Sequence, residues 1–256
     1  MNKQTEEPEL RAEQGFFSHL IELRARLLRV VGAIVLVLLA LMPFADTLYA
    51  WFASPLLRHL PGDSSMIAID VVSPFMIPLK LAMMLAVFIT IPYTLYQLWA
   101  FVAPGLYRHE KRFALPLLIS STALFYAGVA FAYFIVLPVL FRFLIGVAPE
   151  GIAVMTDISR YLDFMIAMFF AFGFAFEIPV ATVLLVVTGI TTPATLVAAR
   201  PYVIVGAFIV GMLLTPPDVI SQTMLAVPMW FLYELGIITS RFVLKRNAAA
   251  TAEKAP

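Results

Sequence analysis

The chain has 256 residues, 62% of them apolar and only 13% charged, with 17 Lys and Arg against 16 Asp and Glu. A soluble domain is about half apolar and about one-quarter charged, so a mean hydropathy of +0.96 excludes a water-soluble globule and defines an integral membrane protein. A net charge of +1 without a basic arm argues against a nucleic-acid partner, and the lack of cysteine removes disulfides, thiolate nucleophiles and Cys-held metals.

Residues 1–15 are polar, with four Glu and a proline, and are expected to form a disordered cytoplasmic tail. Phe17, Leu20, Leu23, Leu27 and Leu28 then recur at helical spacing, while Glu22, Arg24, Arg26 and Arg29 lie elsewhere on the wheel. This amphipathic stretch leads into the first span, which ends before Asp46. Its apolar run is longer than that of a secretory signal and no small-x-small cleavage site follows, so it is expected to stay in the mature protein.

A mixed loop over 46–73 carries Pro55 and Pro61-Gly62. Ser73-Pro74 reads as an N-cap followed by a first-turn proline, opening a second span that reaches about Val102 with Pro92 inside it. The charged knot Tyr107-Arg108-His109-Glu110-Lys111-Arg112 precedes a third span, Phe113 to about Leu137, and a loop over 138–157.

The fourth span, Ile158 to Thr188, is interrupted at Glu177-Ile178-Pro179, and its Ala167, Ala171 and Ala175 invite close approach by a neighbouring helix. Thr191-Thr192-Pro193 begins a short helical turn that ends at Arg200-Pro201. The fifth span is Tyr202 to Leu214, and after Thr215-Pro216-Pro217-Asp218 the sixth runs from Val219 to about Ile238. A helix of about 13 residues rises only about 20 Å, short of a hydrocarbon core about 30 Å thick.

The expected fold is therefore all-α and polytopic. It has six transmembrane helices with the fifth and sixth short, both termini cytoplasmic, a six-helix membrane domain over 16–243 and a second disordered tail over 244–256. With six spans, thirteen Lys and Arg fall on the side of the termini, against Arg58, Arg142 and Arg160 on the other.

No phosphate-cradling GxxxxGK[ST] and no GxSxG occurs, and His19, His59 and His109 are too far apart for a zinc site. This argues against an enzyme, and no metal or cofactor is expected. The polar groups in costly places are few. Glu177 sits within an apolar helix, where a charge costs several kcal/mol unless it neutralises, finds a partner or faces a cavity. Asp218 caps the sixth span, and Gln222 follows one turn later, with an internal partner or a partner protein as alternatives for its amide. Glu22 and Glu110 are the acids embedded in two basic segments. Each either pairs with a neighbouring Arg or receives an incoming guanidinium as a fork.

Several motifs then coincide. His19-Leu20-Ile21-Glu22-Leu23-Arg24, Ser73-Pro74-Phe75, the run from Tyr96 to Tyr107 with Glu110-Lys111-Arg112, Ala171-Phe172-Gly173 with Phe176-Glu177-Ile178-Pro179, Arg200-Pro201-Tyr202 and Leu214-Thr215-Pro216-Pro217-Asp218 stand in order over residues 16 to 243. In this the chain resembles the TatC family, the signal-receptor subunits of the twin-arginine protein translocase.

The resemblance implies a multi-pass protein of the bacterial cytoplasmic (inner) membrane. Such a protein binds twin-arginine signal peptides of folded precursors, assembles with TatB and TatA as a homo-oligomer within a receptor complex, and supports transport driven by the proton-motive force. Membrane lipid is its other partner. It implies that Glu22 and Glu110 contact the signal, with Arg24 and Phe101 in the same region. Pro55 matches a proline of the first periplasmic loop, Glu177 a polar group inside the concave membrane face, and Met212 with Gln222 the region that receives a partner helix. In the loop before the fifth span, Ala198-Ala199 stand in a place that is basic in some relatives. The rival class is a proton-coupled secondary transporter of a small solute with Glu177 as carrier, which would require paired broken helices and a water-filled midplane site.

Overall fold

In hydrocarbon a chain has no water to satisfy its backbone, so each span must close its own hydrogen bonds as a helix. The computed structural model describes residues 6–49, 69, 71–102, 114–146, 157–215 and 218–252, and among them every regular element is helical. Five helical stretches are long and apolar enough to cross a membrane, Leu20–Tyr49, Ser73–Phe101, Leu115–Phe143, Ile158–Val187 and Val219–Lys245, and Arg200–Leu214 is a shorter sixth.

The elements in order are α1 (Glu6–Leu41), α2 (Ser73–Val102), α3 (Ala114–Phe131), α4 (Leu137–Gly146), α5 (Ile158–Ala175), α6 (Ile178–Val187), α7 (Pro193–Ala198), α8 (Arg200–Leu214) and α9 (Val219–Ala252). The described chain divides into two compact units. One holds α1 and α2 from Pro78 onward; the other holds the start of α2 and everything from Leu115.

Four expectations are corrected. The sixth span is not short: α9 is 34 residues long. Arg241 and Lys245 sit on it as exposed side chains, and with no proline or glycine from Ile237 to Ala252 the helix has no reason to stop at Ile238. Among the described spans the short one is α8, with 15 residues. Helical backbone also enters both expected tails, beginning at Glu6 and ending at Ala252. These segments are rich in Glu, Ala, Leu and Gln, which favour helix, and Pro8 falls in a first turn that does not need its N–H.

The third span likewise runs on through Pro138 to Gly146. A π-turn over Ala132–Val136 precedes the proline, and the Leu137 N–H reaches back five residues to the Ala132 carbonyl. The widened turn accommodates a ring that would crowd a regular one. At the start of α2, Val72 rather than Ser73 takes the capping place, its carbonyl accepting from the N–H groups of Phe75 and Met76 at 3.1 and 3.0 Å. Ser73 is the first helical residue.

Glycine allows the larger unit to pack closely. A Cβ on Gly173 would meet the Phe125 ring at 2.6 Å, and one on Gly236 would meet Thr182 Oγ1 at 2.2 Å and Pro179 Cα at 3.0 Å. α9 packs against α6 and α8, with Ala175, Ala207, Ala226, Met229 and Leu232 forming one buried cluster and Ala171 packed beside it. Two of the three alanines noted in the sequence thus serve close helix approach. Much of α1 instead presents Leu27, Leu28, Val31, Val35, Leu36 and Leu39 outward, as a surface solvated by lipid does.

Candidate functional site

Glu22 and Arg26 stand one turn apart on α1. Arg26 donates to Glu22 Oε1 from Nε at 2.9 Å and from Nη2 at 2.6 Å, and its Nη1 donates to Gln97 Oε1 of α2 at 3.1 Å. The Gln97 amide nitrogen donates in turn to the Tyr93 hydroxyl at 2.8 Å. The Glu22 side chain remains 37% exposed, against 19% for Arg26. Arg24 is exposed on the same helix. Phe101 is half-buried in the last turn of α2, four residues beyond Gln97 and so on its face. The structure therefore gathers Glu22, Arg26 and Gln97 into one network in the smaller unit. Glu110 and Pro55 lie outside the described residues.

Glu177 sits at the break between α5 and α6. Pro179 supplies no N–H to the carbonyl four residues back, and the ladder shortens there: the Glu177 N–H bonds to Phe174 O, three residues back, at 3.0 Å. The Glu177 side chain does not cap α6. It turns to α3, where the Ser121 hydroxyl donates to its Oε2. Ser121 is 1% exposed, and the other carboxyl oxygen, Oε1, is buried with no hydrogen-bond partner. One acceptor at this depth is therefore left for a donor that the described residues do not supply.

Asp218 caps α9: its Oδ1 accepts from the Ser221 N–H at 2.7 Å and its carbonyl from the Gln222 N–H at 3.2 Å. Gly211 lets α9 come near α8, since a Cβ there would lie 3.3 Å from Gln222 O. Met212 and Gln222 consequently line one open groove of about 290 Å³ with Ile204, Val205, Phe208 and Ile209. At the far end of α8, Arg200 Nη2 donates to Glu234 Oε2 of α9 at 2.6 Å, and the Tyr233 hydroxyl donates to Leu196 O of α7 at 2.7 Å.

Sequence reasoning missed Gln97, Ser121 and Glu234. Gln97 is 71 residues from Arg26, and Ser121 is 56 from Glu177. The available signals were Arg26 at i+4 from Glu22 and the polar run Ser120-Ser121-Thr122 within an apolar span. Among the described residues no cluster of His, Asp and Glu could hold a metal ion.

This is a multi-pass helical membrane protein whose polar groups sit in a network between α1 and the end of α2, at a broken span and in a short-helix groove. The family model for the Sec-independent protein translocase protein TatC matches residues 18–228. The chain is 53% identical to the TatC of Azotobacter chroococcum over 97% of its length and 98% of that protein. It is 55% identical to the TatC of Escherichia coli over 91% of each. A crystal structure of a twin arginine translocase receptor, TatC, superposes with a TM-score of 0.78 at 36% identity, covering 88% of this chain and 98% of that one.

The chain belongs to the TatC family. It is a component of the Sec-independent protein translocase, a transport protein rather than an enzyme, and a multi-pass protein of the bacterial inner membrane. Among the described residues one span is broken at a buried carboxyl group.

Proposed function

We propose that this chain binds the twin-arginine signal peptides of folded precursors at the cytoplasmic membrane face, through Glu22 and Glu110 with Arg24 and Phe101 beside them. One observation carries the reading: the partly exposed Glu22 carboxylate already holds a guanidinium, in two charge-assisted bonds to Oε1. A group that accepts Arg26 in this way has the charge and placement to accept an arginine of a ligand. TatB and TatA dock along α8 and α9, where Met212 and Gln222 share a groove, and several copies of the assembly form the receptor complex. The proton-motive force drives transport. Both termini face the cytoplasm, in keeping with the thirteen basic residues on their side.

The test is a binding titration of a fluorescent twin-arginine signal peptide to the full chain in lipid nanodiscs. A charge-assisted contact is worth about 1.5–3 kcal/mol, so Glu22→Gln and Glu110→Gln should each weaken binding by about ten- to hundredfold, and the double variant should exceed both. Unchanged affinity in the double variant refutes the assignment.

A further inference from the structure

The Arg26 network is more elaborate than a helix-surface ion pair. An exposed i,i+4 pair is a weak contact, yet this guanidinium is also anchored on a second helix. Its Nη1 donates to Gln97 Oε1 at 3.1 Å while Nε and Nη2 share Glu22 Oε1. Gln97 is 6% exposed, and its amide nitrogen is committed to the Tyr93 hydroxyl at 2.8 Å. That commitment fixes its oxygen toward Arg26. The guanidinium thus has two acceptors, one rigid and buried, the other on a carboxylate more than a third exposed.

Arg26 presents to Glu22 the same chemical group that the arginine ligand would bring. We propose that Arg26 is an internal competitor that restrains the affinity of Glu22 for an arginine ligand: it covers Oε1 in the unliganded protein, then yields it to an incoming guanidinium and stays held by Gln97. The inference rests on the signal-peptide reading above. An incoming arginine returns a comparable fork for the two N–H contacts it displaces. The displacement cost is the same for any ligand that takes Oε1, so the internal contact lowers affinity by that one amount. Gln97 makes the exchange feasible, because Arg26 keeps a partner after it lets go.

The experiment measures the affinity of two labelled peptides, one with Arg-Arg ahead of an apolar segment and its Lys-Lys counterpart, for the full chain in nanodiscs. Arg26→Gln should tighten Arg-Arg binding by about three- to fivefold, the factor that corresponds to an exposed ion pair of up to about 1 kcal/mol, and should tighten the Lys-Lys peptide by no more than that. Gln97→Leu should act in the opposite direction and weaken Arg-Arg binding, because Arg26 then has only Glu22 to hold. Arg26→Lys keeps the charge without the fork and should fall between wild type and Arg26→Gln in Arg-Arg affinity. Arg29→Gln removes an exposed charge one turn away and should leave Arg-Arg affinity nearly unchanged. Weaker Arg-Arg binding by Arg26→Gln, or an equal change in Arg29→Gln, overturns the proposal. A loss of affinity in Glu22→Gln with no change in Arg26→Gln overturns it alone. If Glu22→Gln and Glu110→Gln together leave binding unchanged, the signal-peptide reading itself has failed.

Discussion

Gly128 stands where α3 meets the break between α5 and α6, and a single methyl group there tests the packing that holds Glu177. An alanine Cβ at this position would lie 2.4 Å from the Phe172 carbonyl oxygen, 2.9 Å from its carbonyl carbon and 3.0 Å from Phe176 Cβ. None of these is the free end of a flexible side chain, and Phe172 O is already engaged with the Phe176 N–H at 3.0 Å. Relief therefore requires the helices to part by roughly 0.6 Å or more. Forcing a methyl into a packed site costs about 1–3 kcal/mol, and the gain in helix propensity from Gly to Ala returns up to about 1 kcal/mol. With the full gain subtracted, the expected net loss is about 0–2 kcal/mol. Gly32 in α1 meets nothing within 4 Å, so Gly32→Ala keeps only the favourable part. Thermal or denaturant unfolding of both variants in detergent, followed by tryptophan fluorescence, measures the contrast. Separation of α3 from α5 also strains the contact between Ser121 and Glu177, so transport of a twin-arginine precursor into inverted vesicles should fall in Gly128→Ala. If Gly128→Ala matches Gly32→Ala in stability, the close approach is not a constraint and the reasoning fails.

Glu177→Gln keeps an oxygen acceptor for Ser121 and should transport nearly as well as wild type, whereas Glu177→Lys removes the acceptor, adds a bulky cation at that depth and should impair vesicle transport severely. Glu234→Ala takes away the partner of Arg200, whose Nε is already buried without a hydrogen bond; the loss at this partly exposed pair should be about 1 kcal/mol, visible as a lower melting temperature. A rise in melting temperature would contradict that account. Inserting four apolar residues after Phe208 lengthens α8 by about 6 Å, lessens its mismatch with the bilayer and displaces Met212 from Gln222. Site-specific crosslinking to TatB and TatA should drop, and undiminished crosslinks would show that the groove is not their docking surface.

The succession of spans was legible because hydrocarbon imposes a one-dimensional rule: an apolar run long enough to cross must be a helix, and prolines and charges mark where it bends or ends. That rule located Ser73–Val102, the break beside Pro179 and, from Tyr202 to Leu214, the short helix that begins two residues earlier at Arg200. It misjudged Pro138 and Arg241, because a π-turn absorbs one and a long exposed side chain extends outward from a continuing helix at the other. The same local logic marked Glu22, Glu177 and Gln222 as polar groups needing a partner.

What composition and order determined by themselves was thus the membrane class, the helical fold, the broken fourth span and the family pattern, all properties set by near neighbours in the chain and by the solvent. Only the tertiary structure decided which partner each polar group takes: Gln97 behind Arg26, Ser121 on Glu177, Glu234 on Arg200, and Met212 beside Gln222. Except for the last, these pairs join residues 34 to 71 positions apart. Their meeting depends on where glycines such as Gly128 and Gly211 let helices approach, and no local periodicity encodes a helix crossing.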